Sequence, residues 1–389
     1  KSRNDQVVAA IRMRLKEDLL DVEDAVLAVV DSLSELAEKH IHTLMPGYTH
    51  FQVAEPTTFA HYLCAHAQAF LRDADRIEAA YKAIDSSPMG ACALAGTSFP
   101  IDRELVATLL GFSKVDENTM DAVGSRDTLV QAMGALAISM VNLSRLAEEI
   151  ILMSSLEIGF IDVPEEFCST SSIMPQKKNQ VVAELVRSKS AKTIGNLAAA
   201  LSLVKALPHT YNLDFQDLTP LLWDSVDETR QSFELMAKVM RRAKPVPERM
   251  EESIREGFAI ATELANFLTR KHGVPFRSAY QVVAYLVGKA SKSGKTISQI
   301  SVLDLKRASE EVLGKAIQIS SDEFDAALEP MNVVKSRDVI GGPAPGQVRS
   351  QIKKIKSRCR AHRKFVKQAR NFIRRAEQNL LREARRLSG

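Results

Sequence analysis

Apolar residues recur at steps of three and four along nearly the whole chain. Leu15, Leu19, Val22, Val26, Val29, Leu33 and Leu36 form one such stripe, uninterrupted by Pro or Gly. Met133, Leu136, Met140, Leu143, Ala147 and Ile150 form a second, and Ile194, Leu197, Leu201 and Val204 a third. That spacing gathers apolar side chains on one face of a helix. Long stripes of this kind predict helices packed side by side as a bundle. No run alternates with period two between turn signals, so no strand or hairpin is expected. The fold class read from the pattern is all-α.

The breaks in the pattern are where polar and small residues collect. Pro46-Gly47 is expected to end the first helix and to place Thr49 and His50 on a turn. The segments 88–100, 164–175 and 208–220 are each bounded by prolines. The first of these holds Gly90-Ala91-Cys92-Ala93-Leu94-Ala95-Gly96, whose small side chains let backbone approach a ligand closely. Beyond about 245 shorter helices are expected, over 253–271, 275–291 and 302–313. Gly341-Gly342-Pro343 then precedes a last helix. We expect a long-helix bundle domain over 1–251 and a smaller helical domain over 252–389, ending in a basic helix from about 349 to 389.

Charge changes this picture at one place. The net charge of +4 hides fifteen Lys and Arg against two Glu from Arg349 onward, a net of +13, which leaves −9 on the other 348 residues. A basic helix that carries Ile352, Ile355, Cys359, Val366, Ala369, Ile373 and Leu380 on one track suits docking on the acidic body or on a neighbouring subunit. A nucleic acid or another anionic surface is the alternative, since clustered cations bind phosphates without sequence preference. The four cysteines have no paired spacing, which fits a reducing cytoplasm better than a disulfide framework or a metal site. No stretch of eighteen uncharged apolar residues appears, so no membrane span is expected. The chain opens at Lys1 without Met or a signal-peptide pattern and reads as a piece of a longer protein.

The richest chemistry lies in Ser171-Ser172-Ile173-Met174-Pro175-Gln176-Lys177-Lys178-Asn179, just ahead of a helical pattern. It offers hydroxyls, two cations and an amide within nine residues, a set suited to holding a carboxylate. This string resembles the mobile catalytic loop of the fumarase/aspartase superfamily, and its Gln-Lys-Lys variant resembles argininosuccinate lyases. Lys1-Ser2-Arg3-Asn4-Asp5-Gln6, Met45-Pro46-Gly47-Tyr48-Thr49-His50-Phe51-Gln52 and Tyr211-Asn212-Leu213-Asp214-Phe215-Gln216 are similar to three further family blocks, in the same order.

The resemblance implies β-elimination of argininosuccinate to arginine and fumarate, without metal or redox cofactor. It implies Ser171 as the base, His50 paired with Glu184 in acid/base support, and Lys177 stabilising the charge that develops. Whether His50 would act directly or through water stays open. Ser2, Arg3, Asn4, Thr49, Asn179, Tyr211 and Gln216 match family contacts to the small-molecule substrate. The resemblance further implies a homotetramer whose active sites draw loops from several subunits, and an N-terminal domain of about a hundred residues ahead of Lys1. Thr170 stands where the family usually has Gly, and Thr219 where it often has Lys. Two other readings stand beside this one: a lyase releasing fumarate from another substrate, and a non-catalytic relative or fragment.

Overall fold

A computed structural model describes residues 2–388. Helix α1 (Arg3–Lys39) leads into a hairpin of strands β1 (Leu44–Thr49) and β2 (Gln52–Thr58), and helix α2 (Phe59–Ile84) returns along α1. Short helices α3 (Arg103–Leu109) and α4 (Thr119–Gly124) precede three long ones, α5 (Asp127–Met153), α6 (Val181–Val204) and α7 (Phe215–Arg242). Helices α1, α2, α5, α6 and α7 pack as one bundle. The first two predicted stripes lie at its centre: Leu15, Leu19, Val22, Val26, Val29 and Leu33 are fully buried, as are Met133, Leu136, Met140 and Leu143. Helix α5 is long and apolar enough to cross a membrane, but 56% of its most apolar window is buried within the bundle.

A second set of shorter helices follows. It comprises α8 (Pro247–Glu256), α9 (Ala261–His272), α10 (Phe276–Lys292), α11 (Val302–Leu313), α12 (Ser321–Ala327) and α13 (Pro330–Ser336). Leu264, Leu268, Val282, Leu305 and Phe324 belong to an apolar cluster separate from the bundle core.

The 44-residue helix α14 (Pro345–Ser388) closes the chain and lies along α1 and α2. Its apolar track enters the bundle core through Ile352, Ile355, Cys359, Val366 and Ala369. Its cations meet the acidic body. Arg370 pairs with Asp21 and Asp24 at 2.8 and 2.7 Å, Arg358 with Asp75 at 2.6 Å, and Arg363 with Asp31. Docking on the body is the expected alternative that the structure displays. The outer Lys353, Lys354, Arg360, Lys364 and Lys367 stay exposed.

Three expectations are corrected. The segment 44–58 is an antiparallel hairpin, not a turn after the first helix, and α1 ends at Lys39, well before Pro46-Gly47. The hairpin escapes a period-two test because it is short, half-exposed, and irregular between Gly47 and Tyr48. The segment 253–271 falls in two helices, broken after Glu256, where Gly257 adopts an extended conformation. Finally, the stripe on α6 is only partly covered: Leu197 and Val204 pack against the bundle core, whereas Ile194 and Leu201 are 45% and 52% exposed.

Core packing sets the scale of mutational effects. Phe70 is fully buried, edge-on to Phe233 at 5.6 Å between ring centres. We expect Phe70→Ala to lower stability by about 3–5 kcal/mol. Phe51→Ala, at an 83% exposed site, should change it by less than about 0.5 kcal/mol. Urea unfolding followed by circular dichroism checks both; a small effect at Phe70 would refute the packing described.

Candidate active site

The residues singled out by sequence fall at the two ends of the bundle. At the end where α1 begins, Ser2 caps the helix: its Oγ accepts the Asn4 N–H at 3.2 Å, while its own N–H donates to Asp5 Oδ1 at 3.0 Å. The fully buried Asp5 also accepts from Gly90 N at 3.1 Å and Cys92 N at 2.9 Å through Oδ2. Asn4 Nδ2 donates to Ala93 O at 3.2 Å. These bonds stitch the small-residue loop to the first turn of α1. The loop needs its glycine at 90, where φ is +86° and a Cβ would lie 2.8 Å from Arg103 and Ile101. Arg3 beside it is exposed.

Tyr211 and Gln216 belong to the same end. Gln216 Nε2 donates to Tyr211 Oη at 3.0 Å. Beneath them the Arg126 guanidinium stacks 4.2 Å from the Phe215 ring centre and donates to the carbonyls of Val123 and Ser125. Burial, with Arg12 nearby, lowers the Arg126 pKa to about 10. Gly124 lies so close to the loop that a Cβ there would come 2.6 Å from Thr210 N. Arg126 thus serves as a packing post under the 205–214 loop.

The opposite end carries the other group. His50 and Phe51 form the two-residue tip of the β1–β2 hairpin, with φ of +54° and +59°. Both angles positive is the signature of a tight turn whose twist matches that of its strands. Thr49 and His50 are exposed. The hairpin leans on the segment after α5, with Tyr48 and Phe160 ring centres 6.4 Å apart.

At this end too, a loop over 171–177 projects from the bundle. Its base is closed by a two-residue antiparallel ladder, Ser169 facing Asn179 and Thr170 facing Lys178. Asn179 Nδ2 donates to Ser169 Oγ at 3.4 Å and Lys178 pairs with Asp162 at 2.6 Å. Inside the loop, Ser171 Oγ accepts the backbone N–H groups of Ile173 at 3.3 Å and Met174 at 3.1 Å. Lys177 is exposed, as is Glu184 in the first turn of α6. His50 and Glu184 form no ion pair or hydrogen bond with each other among the described residues.

The two groups do not meet within one chain. Helix α5 runs from Arg126 to the approach of the 171–177 loop over 27 residues, a length on the order of 40 Å at about 1.5 Å per residue. Ser2, Arg3, Asn4, Tyr211 and Gln216 lie at one end, and Thr49, His50, Ser171, Lys177, Asn179 and Glu184 at the other.

Known proteins resemble this chain in sequence and in fold. A family described as "Lyase" matches residues 1–195, and one described as "Argininosuccinate lyase C-terminal" matches residues 258–335. The argininosuccinate lyase of Methanocaldococcus jannaschii is 43% identical over 382 residues, covering 98% of this chain and 77% of that protein. The chain belongs to the argininosuccinate lyase family. A second such lyase, from Methanoculleus marisnigri, is 40% identical over 391 residues, covering all of this chain and 78% of its own length. A solved EDDS lyase variant with bound fumarate superposes with a TM-score of 0.93 at 30% identity, covering 99% of this chain and 77% of that one.

The anchoring role of Asp5 in this family member was not read from sequence. The Ser2-to-Asp5 spacing of a capping box was a signal available in the sequence, whereas the reach of Asp5 to a loop 85 residues away was not. Asp5→Ala should leave the Gly90 and Cys92 amides without a partner, at about 1–3 kcal/mol each. Amide hydrogen exchange at Gly90 and Cys92 should accelerate accordingly; unchanged protection would contradict the anchor.

Proposed function

We propose that this chain catalyses the β-elimination of argininosuccinate to arginine and fumarate, with Ser171 as the base. The carrying observation is the Ser171 hydroxyl oxygen, cradled by two backbone N–H groups. Hydrogen bonds to the charged form favour ionisation, so this cradle, with the Lys177 charge nearby in sequence, supports a serine alkoxide. The base removes the Cβ proton, the electron pair becomes the new double bond, and the C–N bond breaks. The departing guanidino nitrogen takes a proton, for which His50 backed by Glu184 is the source, directly or through water. Lys177, Asn179 and Thr49 would hold the carboxylate that gathers negative charge. Ser2, Arg3, Asn4, Tyr211 and Gln216 would hold the rest of the substrate.

The placement of these residues at two ends supports an assembly in which each site draws on several copies, and we propose a homotetramer. Helix α6 adds to this reading. Leu185, Ile194 and Leu201 are exposed along it, and a Cβ at Gly195 would meet nothing. A second copy is the natural cover for such a face. We also propose a domain division near residue 251, supported by the separate apolar cluster of the shorter helices, with α14 belonging to the bundle by its contacts. The four unpaired cysteines suit a cytoplasmic setting.

A lyase releasing fumarate from EDDS is the second reading, favoured by the 0.93 TM-score. Turnover of argininosuccinate against EDDS, followed by fumarate absorbance, separates the two. Ser171→Ala should lower kcat by at least about a hundredfold while leaving assembly unchanged; activity near that of the parent chain would refute the base assignment.

Shared sites make a further prediction. Ser171→Ala and Gln216→Ala chains, each impaired alone, should recover measurable activity when dissociated and reassembled together. A mixture no more active than its components would sink the shared-site proposal.

A further inference from the structure

Where α14 crosses α1 and α2, His362 sits among three carboxylates. Its Nδ1 lies 2.9 Å from Glu23 Oε1 and 3.3 Å from Glu78 Oε2, and its Nε2 lies 3.1 Å from Asp75 Oδ1. Glu23 is fully buried and His362 is 6% exposed. The second oxygen of Glu23, Oε2, is also buried and has no hydrogen-bond partner. A buried carboxylate oxygen left unpaired is costly and asks for a cation or a proton.

We infer that Glu23, Glu78 and His362 form a binding site for a divalent transition-metal ion that clamps α14 to the bundle. One ligand atom from each residue lies within 4.8 Å of the others. Tetrahedral zinc, with bonds of about 2.0–2.2 Å, needs ligand atoms separated by about 3.3–3.5 Å. The Nδ1 separations of 2.9 and 3.3 Å are close to that edge. Two carboxylates and a neutral imidazole balance the ion's charge, and Glu23 Oε2 or a water can fill the remaining position.

The outer partner also fits. A metal-bound imidazole usually donates its other N–H to a carboxylate, which fixes its tautomer. Asp75 is placed to accept from Nε2 and is itself held by Arg358 at 2.6 Å. The imidazole ligand argues for zinc, cobalt or nickel over magnesium or calcium, which favour all-oxygen sites. This site is on the side of the bundle, and the elimination chemistry does not use it.

The test uses the untagged 389-residue chain stripped with a chelator and titrated with Co²⁺, whose visible absorption reports an imidazole–carboxylate site. One equivalent should bind, be displaced by Zn²⁺, and raise the thermal midpoint. Glu78→Gln, at a partly exposed position that should leave folding intact, is expected to weaken binding at least about tenfold. His362→Gln should abolish the band, and Asp75→Asn should weaken it by about tenfold. No band at one equivalent in the parent chain would overturn the site. So would a band equal to the parent's in Glu78→Gln or His362→Gln. In either case His362 would be a protonated bridge between carboxylates.

Discussion

A buried ion must find a partner, and the architecture follows from how α1 meets that demand. The helix carries Asp5, Arg12, Lys16, Asp18 and Glu23, all buried. Asp5 takes backbone amides of the 88–97 loop, and Arg12 pairs with Asp116 at 2.7 Å while donating to Ser86 O. Lys16 reaches Asp85 and the carbonyl of Gly111, with the rings of Tyr81, Phe112 and Phe372 between 5.1 and 5.7 Å away. Asp18 pairs with Arg14, and Glu23 with His362. Removing one partner of such a pair strands a charge in a medium that solvates it poorly. All but the Asp18–Arg14 pair, which lies within α1, therefore pin a different segment of the chain to this helix, and the apolar stripes fill the space between.

The same long helices hold the two groups of candidate residues apart. A bundle of this length separates its loop ends by far more than a small substrate can span. The proposed assembly would resolve this separation, and the exposed apolar positions of α6 are where the chain leaves an apolar face uncovered. The fold and the site are thus two aspects of one constraint, since helices long enough to bury α1 cannot also bring their own ends together.

The bundle was legible in sequence because its stripes are long and uniform. Met133 to Ile150 and Leu15 to Leu33 are buried where the spacing placed them. The α6 stripe looked the same and is half-exposed, because periodicity identifies a face without saying what covers it. The 44–58 hairpin was missed, as its pairing across Pro46 and Pro56 leaves little alternation to read. Site residues were legible as strings, through resemblance of whole blocks. Their separation into two ends became visible only with helix direction in hand. Asp5 was within the strings and Arg126 outside them, and the work of both is tertiary: one bonds a loop far along the chain, the other lies under Phe215. The basic tail could be read in two ways because a charged face looks alike whether it meets carboxylates or phosphates.

The tip of the hairpin carries one more consequence. His50 and Phe51 hold left-handed backbone angles without being glycine, at a cost of about 1–2 kcal/mol each. That energy is drawn from the folded hairpin, whose strands leave the two tip residues no other way to turn. The imidazole is therefore delivered on a stiff stalk, its backbone freedom surrendered during folding. A group that pairs with this imidazole would meet a turn already set by the strands and would have little further backbone entropy to remove.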